Sequence, residues 1–242
     1  MNGAPSFGTG SGEGSIQALV VEGLDVSYGE AKVLFGVSLC VEDGQLVACV
    51  GRNGAGKTTL LRTIAGFLRP SAGRIRYGDT DLTGRKPYEV ARLGIRYVQQ
   101  DKRVFSDLTV RENLELASYA TGDWNWDIVF QYFPRLRELL DRKGGYLSGG
   151  ERQMLMIGRA LLGNPRVLLI DEPTEGLAPS VVELLRDVFR ELKKRAAVVM
   201  VEQNLPLVAE VADKVYAVKE GRIAAEVSDP AAIKRHAYEE YL

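Results

Sequence analysis

The sequence predicts an α/β fold in which a mixed central sheet is joined to an antiparallel β region and interrupted by a block of helices. Three observations carry the prediction. An apolar run, LVACV (Leu46–Val50), leads straight into GRNGAGKT and then into a helical pattern. From Val167 onward, short apolar runs alternate with helical stretches that begin near a proline. Between these two parts, from about Asp107 to Leu162, the periodicity is helical. Strands alternating with helices are the pattern of an α/β sheet.

Taken in order, residues 1–16 are rich in Gly and Ser and have almost nothing to bury. They read as a flexible tail, with ordered structure expected from Ile16 or Gln17. ALVVEGLDVSY and VLFGVSLCVEDG read as antiparallel strands with turns at their glycines. LVACV is continuously apolar, as central strands covered on both faces are. The following helix is expected from Lys57 to about Phe67, stopped near Gly66 and Pro70. GRIRYGDTDLTG reads as a short hairpin and IRYV (Ile95–Val98) as a further strand. Thr109 and Glu112 fit a capping box opening VRENLELA; FPRLRELLD continues the helical phase, and a helix led by SGGE closes it. VLLI (Val167–Ile170), a helix after Pro179, AVVMV, a helix after Pro206 and VYAV follow. A last hairpin turns at Glu220–Gly221, and Asp229–Pro230 caps the terminal helix. The expected organisation is a tail at 1–16 and one domain at 17–242. Its core (17–104 and 163–242) carries a helical insertion at about 105–162. There is no internal repeat or heptad run.

A chain of 242 residues can bury a substantial core. Its 45% apolar and 26% charged residues are ordinary for a soluble globular protein. A net charge of −1 argues against a mainly electrostatic nucleic-acid binder, so no nucleic-acid partner is expected. No apolar run approaches the roughly 20 residues of a spanning helix, and the N-terminus lacks the basic-then-apolar order of a secretory signal. Cys40 and Cys49 lie in SLCV and VACV without metal-ligand spacing, and read as reduced core residues of a cytosolic protein.

GRNGAGKT (Gly51–Thr58) fits G-x-x-x-x-G-K-[ST] between a buried strand and a helix, the context that motif requires. Gly51, Gly54 and Gly56 let the backbone wrap around phosphates; Lys57 supplies a charge to the terminal phosphates and Thr58 a hydroxyl to Mg²⁺. A chance Gly-rich turn is the alternative, and the strand, lysine and threonine together disfavour it. VLLIDE (Val167–Glu172) delivers Asp171 to the C-terminal end of a buried strand, where open α/β sheets bind ligands. Asp171 suits Mg²⁺, and Glu172 suits a role orienting or deprotonating an attacking water. Two adjacent acids also suit solvated helix caps. In YLSGGERQM, Ser148, Gly149 and Gly150 precede an apolar-periodic run, so a helix starts there with its first N–H groups open. Such an end attracts anions. The chain thus carries a second phosphate site that its own phosphate loop does not need.

GRNGAGKTT, LSGGE and LLIDEPT, in that order, resemble the nucleotide-binding subunit of ATP-binding cassette (ABC) transporters, and the resemblance covers nearly all of Leu19–Leu242. It implies a P-loop NTPase fold of the ABC ATPase type, with the helical subdomain inserted between the phosphate loop and the Asp-Glu strand. It also implies ATP and Mg²⁺ as cofactors, with Arg52, Asn53, Ala55 and Thr59 completing the phosphate loop. Members of this family resemble half-sites: ATP on one subunit's phosphate loop is closed over by the Ser-Gly-Gly of a second, head to tail. Ser148, Gly149, Gly150 and Glu151 would then belong to the ATP of a second ABC ATPase subunit, in a homodimer or a heterodimer. Tyr28, in DVSYGE, stands where the family places an aromatic against adenine, although a strand tyrosine with a wet hydroxyl fits as well. Gln100 stands where a glutamine touches Mg²⁺ and the attacking water, with Gln99 as the adjacent competitor. Glu175, Gly176 and Leu177 lie in the loop that crosses to the partner subunit.

Two positions depart from the family pattern. Ala178 stands where the crossing loop usually ends in aspartate, and Gln203 stands where a histidine usually contacts the γ-phosphate. The one histidine, His236, lies outside any motif. Gln203 can donate a hydrogen bond but cannot carry charge or shuttle a proton, so slowed hydrolysis is implied, with Glu172 intact. VEQN, DEPTEGLAPS, KRVFSDLTVRENL and FPRLRELLDRKGGYLSGGERQMLMIGRALL narrow the resemblance to LivF-type ATPases of branched-chain amino acid importers, or of similar urea and amide importers. Gln100 is glutamate in some of these, which blurs the substrate class. Such subunits pair with a related ATPase that keeps the histidine. Transmembrane permease subunits would dock near 101–110, with Val104, Phe105 and Leu108 as an apolar patch and Lys102 and Arg103 as a basic rim; ordinary local packing is the alternative. Trp124 and Trp126 are assigned no ligand. The implied function is ATP hydrolysis coupled to import, in the cytoplasm and peripheral on the inner face of the cell membrane through the permease. The rivals are a non-transport soluble ABC ATPase and a weakly hydrolysing ATP-dependent interaction module.

Overall fold

Residues 18–101 and 104–242 are described in the computed structural model of the protein. The expected tail at 1–16, the expected start of order at Ile16 or Gln17, and the Lys102–Arg103 rim lie outside the described residues. Two long strands, β1 (Ala18–Tyr28) and β2 (Ala31–Glu42), pair antiparallel around a tight turn at Gly29–Glu30. Gly23 and Gly36 do not make turns, contrary to the sequence expectation. They sit inside the strands at φ +57° and +62°, where the register between β1 and β2 shifts. Each is a bulge, and a side chain takes up the freed N–H: Gly23 donates to Ser38 Oγ (2.9 Å) and Gly36 to Asp25 Oδ1 (2.7 Å).

β3 (Leu46–Val50) runs into the Gly51–Gly56 loop and α1 (Lys57–Ile64). The helix stops short of Phe67. The Phe67 N–H returns to the Arg62 carbonyl (2.8 Å) and the Gly66 N–H to that of Thr63 (3.0 Å), closing the turn in a Schellman arrangement. β4 (Ala72–Tyr77) and β5 (Thr80–Asp81) form the expected hairpin and extend the antiparallel sheet to the order β2-β1-β4-β5. α2 (Pro87–Arg92) and β6 (Ile95–Val98) follow.

Among the described residues, four α-helices stand between β6 and the next strand: α3 (Val110–Thr121), α4 (Asp127–Tyr132), α5 (Arg135–Glu138) and α6 (Gly149–Leu161). The α3 capping box is as read from Thr109 and Glu112. FPRLRELLD, by contrast, gives only the single turn of α5. Beyond it the chain peels away to serve the start of α3, with Arg142 and Leu140 carbonyls accepting from the Val110 and Arg111 N–H groups (both 2.9 Å). Trp126 donates to Ser118 Oγ (2.9 Å) and packs on the core, while Trp124 lies edge-on to Tyr119.

The chain then alternates β7 (Val167–Asp171), α7 (Pro179–Leu192), β8 (Ala197–Val201), α8 (Leu205–Val211) and β9 (Lys214–Lys219). β10 (Arg222–Val227) and α9 (Pro230–Lys234), capped by Asp229, complete it. The central sheet has the order β10-β9-β3-β8-β7-β6, parallel except for β10 against β9. β3, β7 and β8 are buried at every position, which is why their runs are apolar without alternation. One apolar cluster joins α1 and the antiparallel sheet to one face, and a second joins α6, α7 and the helices before them to the other. Cys40 and Cys49 are both unpaired thiols; burial pushes Cys49 up to about 12.

The β9–β10 hairpin turns at Glu220–Gly221, both left-handed. Gly221 donates to the Ala55 carbonyl (3.0 Å) and accepts from the Phe35 N–H (2.9 Å), so one residue ties the loop after β3 to β2. A Cβ there would collide with the Val33 carbonyl. Gly221→Ala is therefore expected to lower stability by on the order of 2–3 kcal/mol, read from the urea midpoint.

Candidate functional site

The loops that leave β3, β6, β7 and β8 converge on one edge of the central sheet, the edge at which parallel sheets hold ligands. From β3 comes the Gly51–Thr58 loop. Gly51 is held against the chain of β9, where a Cβ would strike the Val218 carbonyl, so close packing by itself demands glycine there. Gly56 takes a left-handed conformation as the N-cap of α1 and leaves the helix start without a side-chain cap. Arg52, Asn53 and Gly54 are exposed at the rim, while Ala55 and Thr59 are buried beneath it.

Lys57 is only 4% exposed. Its Nζ donates to the carbonyls of Gly51 (2.7 Å) and Arg52 (3.0 Å), and lies 3.7 Å from Glu172 Oε1. The loop is thus drawn around its own ammonium. Such a charge is shielded from solvent yet bound mainly to neutral carbonyls, which an anion readily displaces.

Asp171 ends β7 with no exposed surface. Thr58 Oγ1 donates to its Oδ1 (3.2 Å) and the Tyr97 hydroxyl to its Oδ2 (2.8 Å). Burial raises the Asp171 pKa, and the two hydroxyl donors partly offset the rise. Burial, and then the neighbouring Asp171 charge, push the Tyr97 phenol up, so it is a donor at neutral pH. A buried carboxylate bonded to neutral hydroxyls favours a nearby cation. The available atoms of Asp171 and Thr58 are hard oxygens. Among the described residues no cluster of three or more His, Cys, Asp or Glu could hold a metal. The hard-oxygen chemistry of Asp171 and Thr58 fits Mg²⁺, which uses few carboxylates and takes its other ligands from phosphate and water.

Glu172 is the hub. It has φ +44°, rare for a residue with a side chain, and its N–H is fixed to the Val201 carbonyl (2.9 Å). Its Oε1 accepts from Gln203 Nε2 (2.8 Å) and its Oε2 from Gln100 Nε2 (3.0 Å). Of the two adjacent glutamines, Gln100 reaches this carboxylate and also Glu175 (2.9 Å), while Gln99 is exposed. Gln203 donates as well to Asn53 Oδ1 (2.9 Å). Both of its amide N–H groups are therefore engaged, and donating to a phosphate requires it to release one.

Two residues escaped the sequence reading. Glu202, nearly fully buried, accepts from Thr174 Oγ1 (2.9 Å), from the Thr174 N–H (3.3 Å), and from the N–H groups of Gln203 (2.9 Å) and Asn204 (3.0 Å). It locks the segment after β7 to the segment after β8. An acid at the end of a buried strand, in AVVMVE, was the available signal. Tyr97 is the other, a polar aromatic in IRYV, which reads in the sequence only as a further strand.

The LSGGE segment is built as a helix start. Ser148 Oγ accepts from the Glu151 N–H (3.2 Å), and Glu151 Oε2 accepts from the Ser148 N–H (2.8 Å), a reciprocal capping box. The Gly149 and Gly150 N–H groups occupy the first two helical positions, and the Ser148 hydroxyl proton is left to donate. A Cβ on Gly149 would find nothing nearer than Leu177 Cδ2 at 3.8 Å, whereas one on Gly150 would meet Val181 Cγ2 at 2.9 Å. Gly150 answers to packing against α7; Gly149 does not. Among the described residues, no hydrogen bond joins Ser148–Gly150 to the Gly51–Thr58 loop.

Tyr28 ends β1 with its ring about half exposed. Ala178 is the N-cap of α7 and offers no side-chain bond. Val104 packs on the core, Leu108 is half buried, and Phe105 is half exposed under the Arg159 guanidinium at 4.9 Å. Asn113 holds this segment, accepting from the Phe105 N–H (3.0 Å) and donating to the carbonyls of Phe105 (3.0 Å), Leu108 (3.3 Å) and Thr109 (2.9 Å).

The ABC transporter family profile matches residues 34–175. The high-affinity branched-chain amino acid transport ATP-binding protein BraG of Pseudomonas aeruginosa is 40% identical over 201 residues, covering 81% of this chain and 86% of the relative. The probable branched-chain amino acid transport ATP-binding protein LivF of Archaeoglobus fulgidus is 37% identical over 207 residues, covering 83% and 88%. Among solved structures, a nucleotide-free ATP-binding cassette from an ABC transporter has a TM-score of 0.84 at 30% identity, covering 93% of this chain and 97% of its own. A bacterial Atm1-family ABC exporter with ATP bound has a TM-score of 0.80 at 26% identity, covering 94% of this chain and 41% of its own.

Proposed function

The chain belongs to the ABC transporter family, in its ATP-binding cassette ATPases, and on that premise we propose that it is the ATP-hydrolysing subunit of an importer for branched-chain amino acids or similar small polar solutes. The names of BraG and LivF support the substrate class. The observation that carries the catalytic part is the Glu172 carboxylate, joined at once to Lys57, Gln100 and Gln203 on three different loops.

In this reading the Gly51–Thr59 backbone cradles the β- and γ-phosphates of ATP, and Lys57 exchanges the Gly51 and Arg52 carbonyls for phosphate oxygens. Thr58, Asp171 and Gln100 would hold Mg²⁺, which when bound would supply positive charge to the phosphate oxygens. Glu172 accepts the proton of the attacking water, and Gln100 and Gln203 fix the direction of its two oxygens. Gln203 keeps the carboxylate turned inward and brings no positive charge, so turnover is slow. Tyr28 stacks on the adenine. Ser148, Gly149, Gly150 and Glu151 close over the ATP of a second ABC ATPase subunit, head to tail, so that the γ-phosphate joins two chains and its loss frees them. Among the described residues no helix is long and apolar enough to cross a membrane. In the same reading, attachment to the inner face of the membrane runs through permease subunits docked at the segment around Phe105.

Phosphate release from the assembled complex tests the enzyme reading. The parent is expected to stay well above Lys57→Ala, which loses ATP binding and turnover together. Equal rates would leave only a binding module, the reading that the doubly engaged Gln203 otherwise favours.

A further inference from the structure

We propose that Tyr97 is a positioning residue for the metal-facing carboxylate: its hydroxyl holds Asp171 at the one rotation in which Oδ1 meets Thr58. The inference rests on the reading of Asp171 as the carboxylate that faces Mg²⁺.

Tyr97 pairs with Leu169 across β6 and β7, and Asp171 lies two residues further along β7. Side chains two apart share a face of the sheet, so the phenol is aimed along that face to the carboxylate. The bond is short, 2.8 Å to Oδ2, and Thr58 takes Oδ1 at 3.2 Å. The terminal torsion of aspartate is broad and soft; a carboxylate gripped at one oxygen can swing, and one gripped at both cannot. The Tyr97 ring is itself steadied by Phe67, with centroids 5.9 Å apart. Phenylalanine at 97 would leave Oδ2 fully buried without this donor, and the carboxylate would turn to recover one. Mg²⁺ demands near-ideal octahedral geometry and tolerates such a turn poorly. The chain leaves β6 through Gln99 to Gln100, so the segment that carries Tyr97 also leads to the amide that faces Glu172.

The test compares the full chain, Tyr97→Phe and Asp171→Asn. Binding of Mn²⁺, standing in for Mg²⁺, is followed by electron paramagnetic resonance at saturating ATP. Binding of a fluorescent ATP analogue is followed in EDTA. For Tyr97→Phe the half-saturating Mn²⁺ concentration is expected to rise roughly tenfold, the scale of losing a residue that orients a metal ligand. Its nucleotide affinity in EDTA should match the parent, and excess Mg²⁺ should restore its turnover. A Tyr97→Phe titration lying on the parent's, with Asp171→Asn displaced, overturns the role of Tyr97 alone. If neither variant is displaced, the reading of Asp171 falls and takes this inference with it. Affinity lost equally in EDTA marks a merely structural tyrosine and also overturns it.

Discussion

Glu172→Gln is expected to reduce steady-state phosphate release by roughly a hundredfold to ten-thousandfold, the range lost when a positioned proton acceptor is removed. The substitution keeps the shape of the side chain and removes its charge and basicity. Its surroundings make the change specific. Gln203 and Gln100 each donate an N–H to one carboxylate oxygen, at 2.8 and 3.0 Å, so a carboxamide can satisfy only one of them. The other meets an N–H with an N–H, and one of the two loops must relax. Lys57, 3.7 Å away, loses this anionic contact but keeps the Gly51 and Arg52 carbonyls. Nucleotide binding should accordingly stay within a fewfold of the parent while turnover falls. A parental rate of phosphate release from the variant complex would remove Glu172 from the chemistry.

Gly149→Asp should abolish turnover, by at least about a hundredfold, while leaving the isolated chain's own ATP affinity and stability intact. The space around Gly149 permits this, since the nearest atom to an added Cβ is Leu177 Cδ2 at 3.8 Å. A carboxylate in the first turn of α6 also favours the helix, by about 0.3–1 kcal/mol. The same charge repels a γ-phosphate delivered by a second subunit. The experiment pairs phosphate release by the complex with nucleotide binding and thermal melting of the single chain. If turnover persists, or if binding by the lone chain drops in parallel, the LSGGE segment does not complete a neighbour's site. Turnover by an isolated chain at full rate and first order in protein would count equally against it.

Much of this was legible in the sequence because it is local. The Gly51–Thr58 loop, the capping box at Thr109–Glu112 and the Asp229 cap are each specified within a few residues; the box at Ser148–Glu151 is as local but reads in the sequence as an open helix start. The buried strands show themselves as unbroken apolar runs. The misreadings have two physical origins. Gly23 and Gly36 carry the left-handed backbone that a turn and a bulge both need, so their local signature is the same. FPRLRELLD has helical periodicity, but α3 claims the carbonyls of Leu140 and Arg142, and no local propensity records that demand. The parts of the site that stayed hidden are contacts at long range. Tyr97 and Asp171 are 74 positions apart, and Thr174 and Glu202 are 28 apart. Only the folded sheet brings such partners together.

The grip of Asn113 on the Phe105–Thr109 stretch has a mechanical consequence. A loop that hung loosely would absorb a push from outside as local slack. Here the amide is stapled to both backbone atoms of Phe105, and α3 rests against α6. Pressure on that aromatic would pass through Asn113 into α3 and, across their shared packing, into α6, whose first turn follows Ser148.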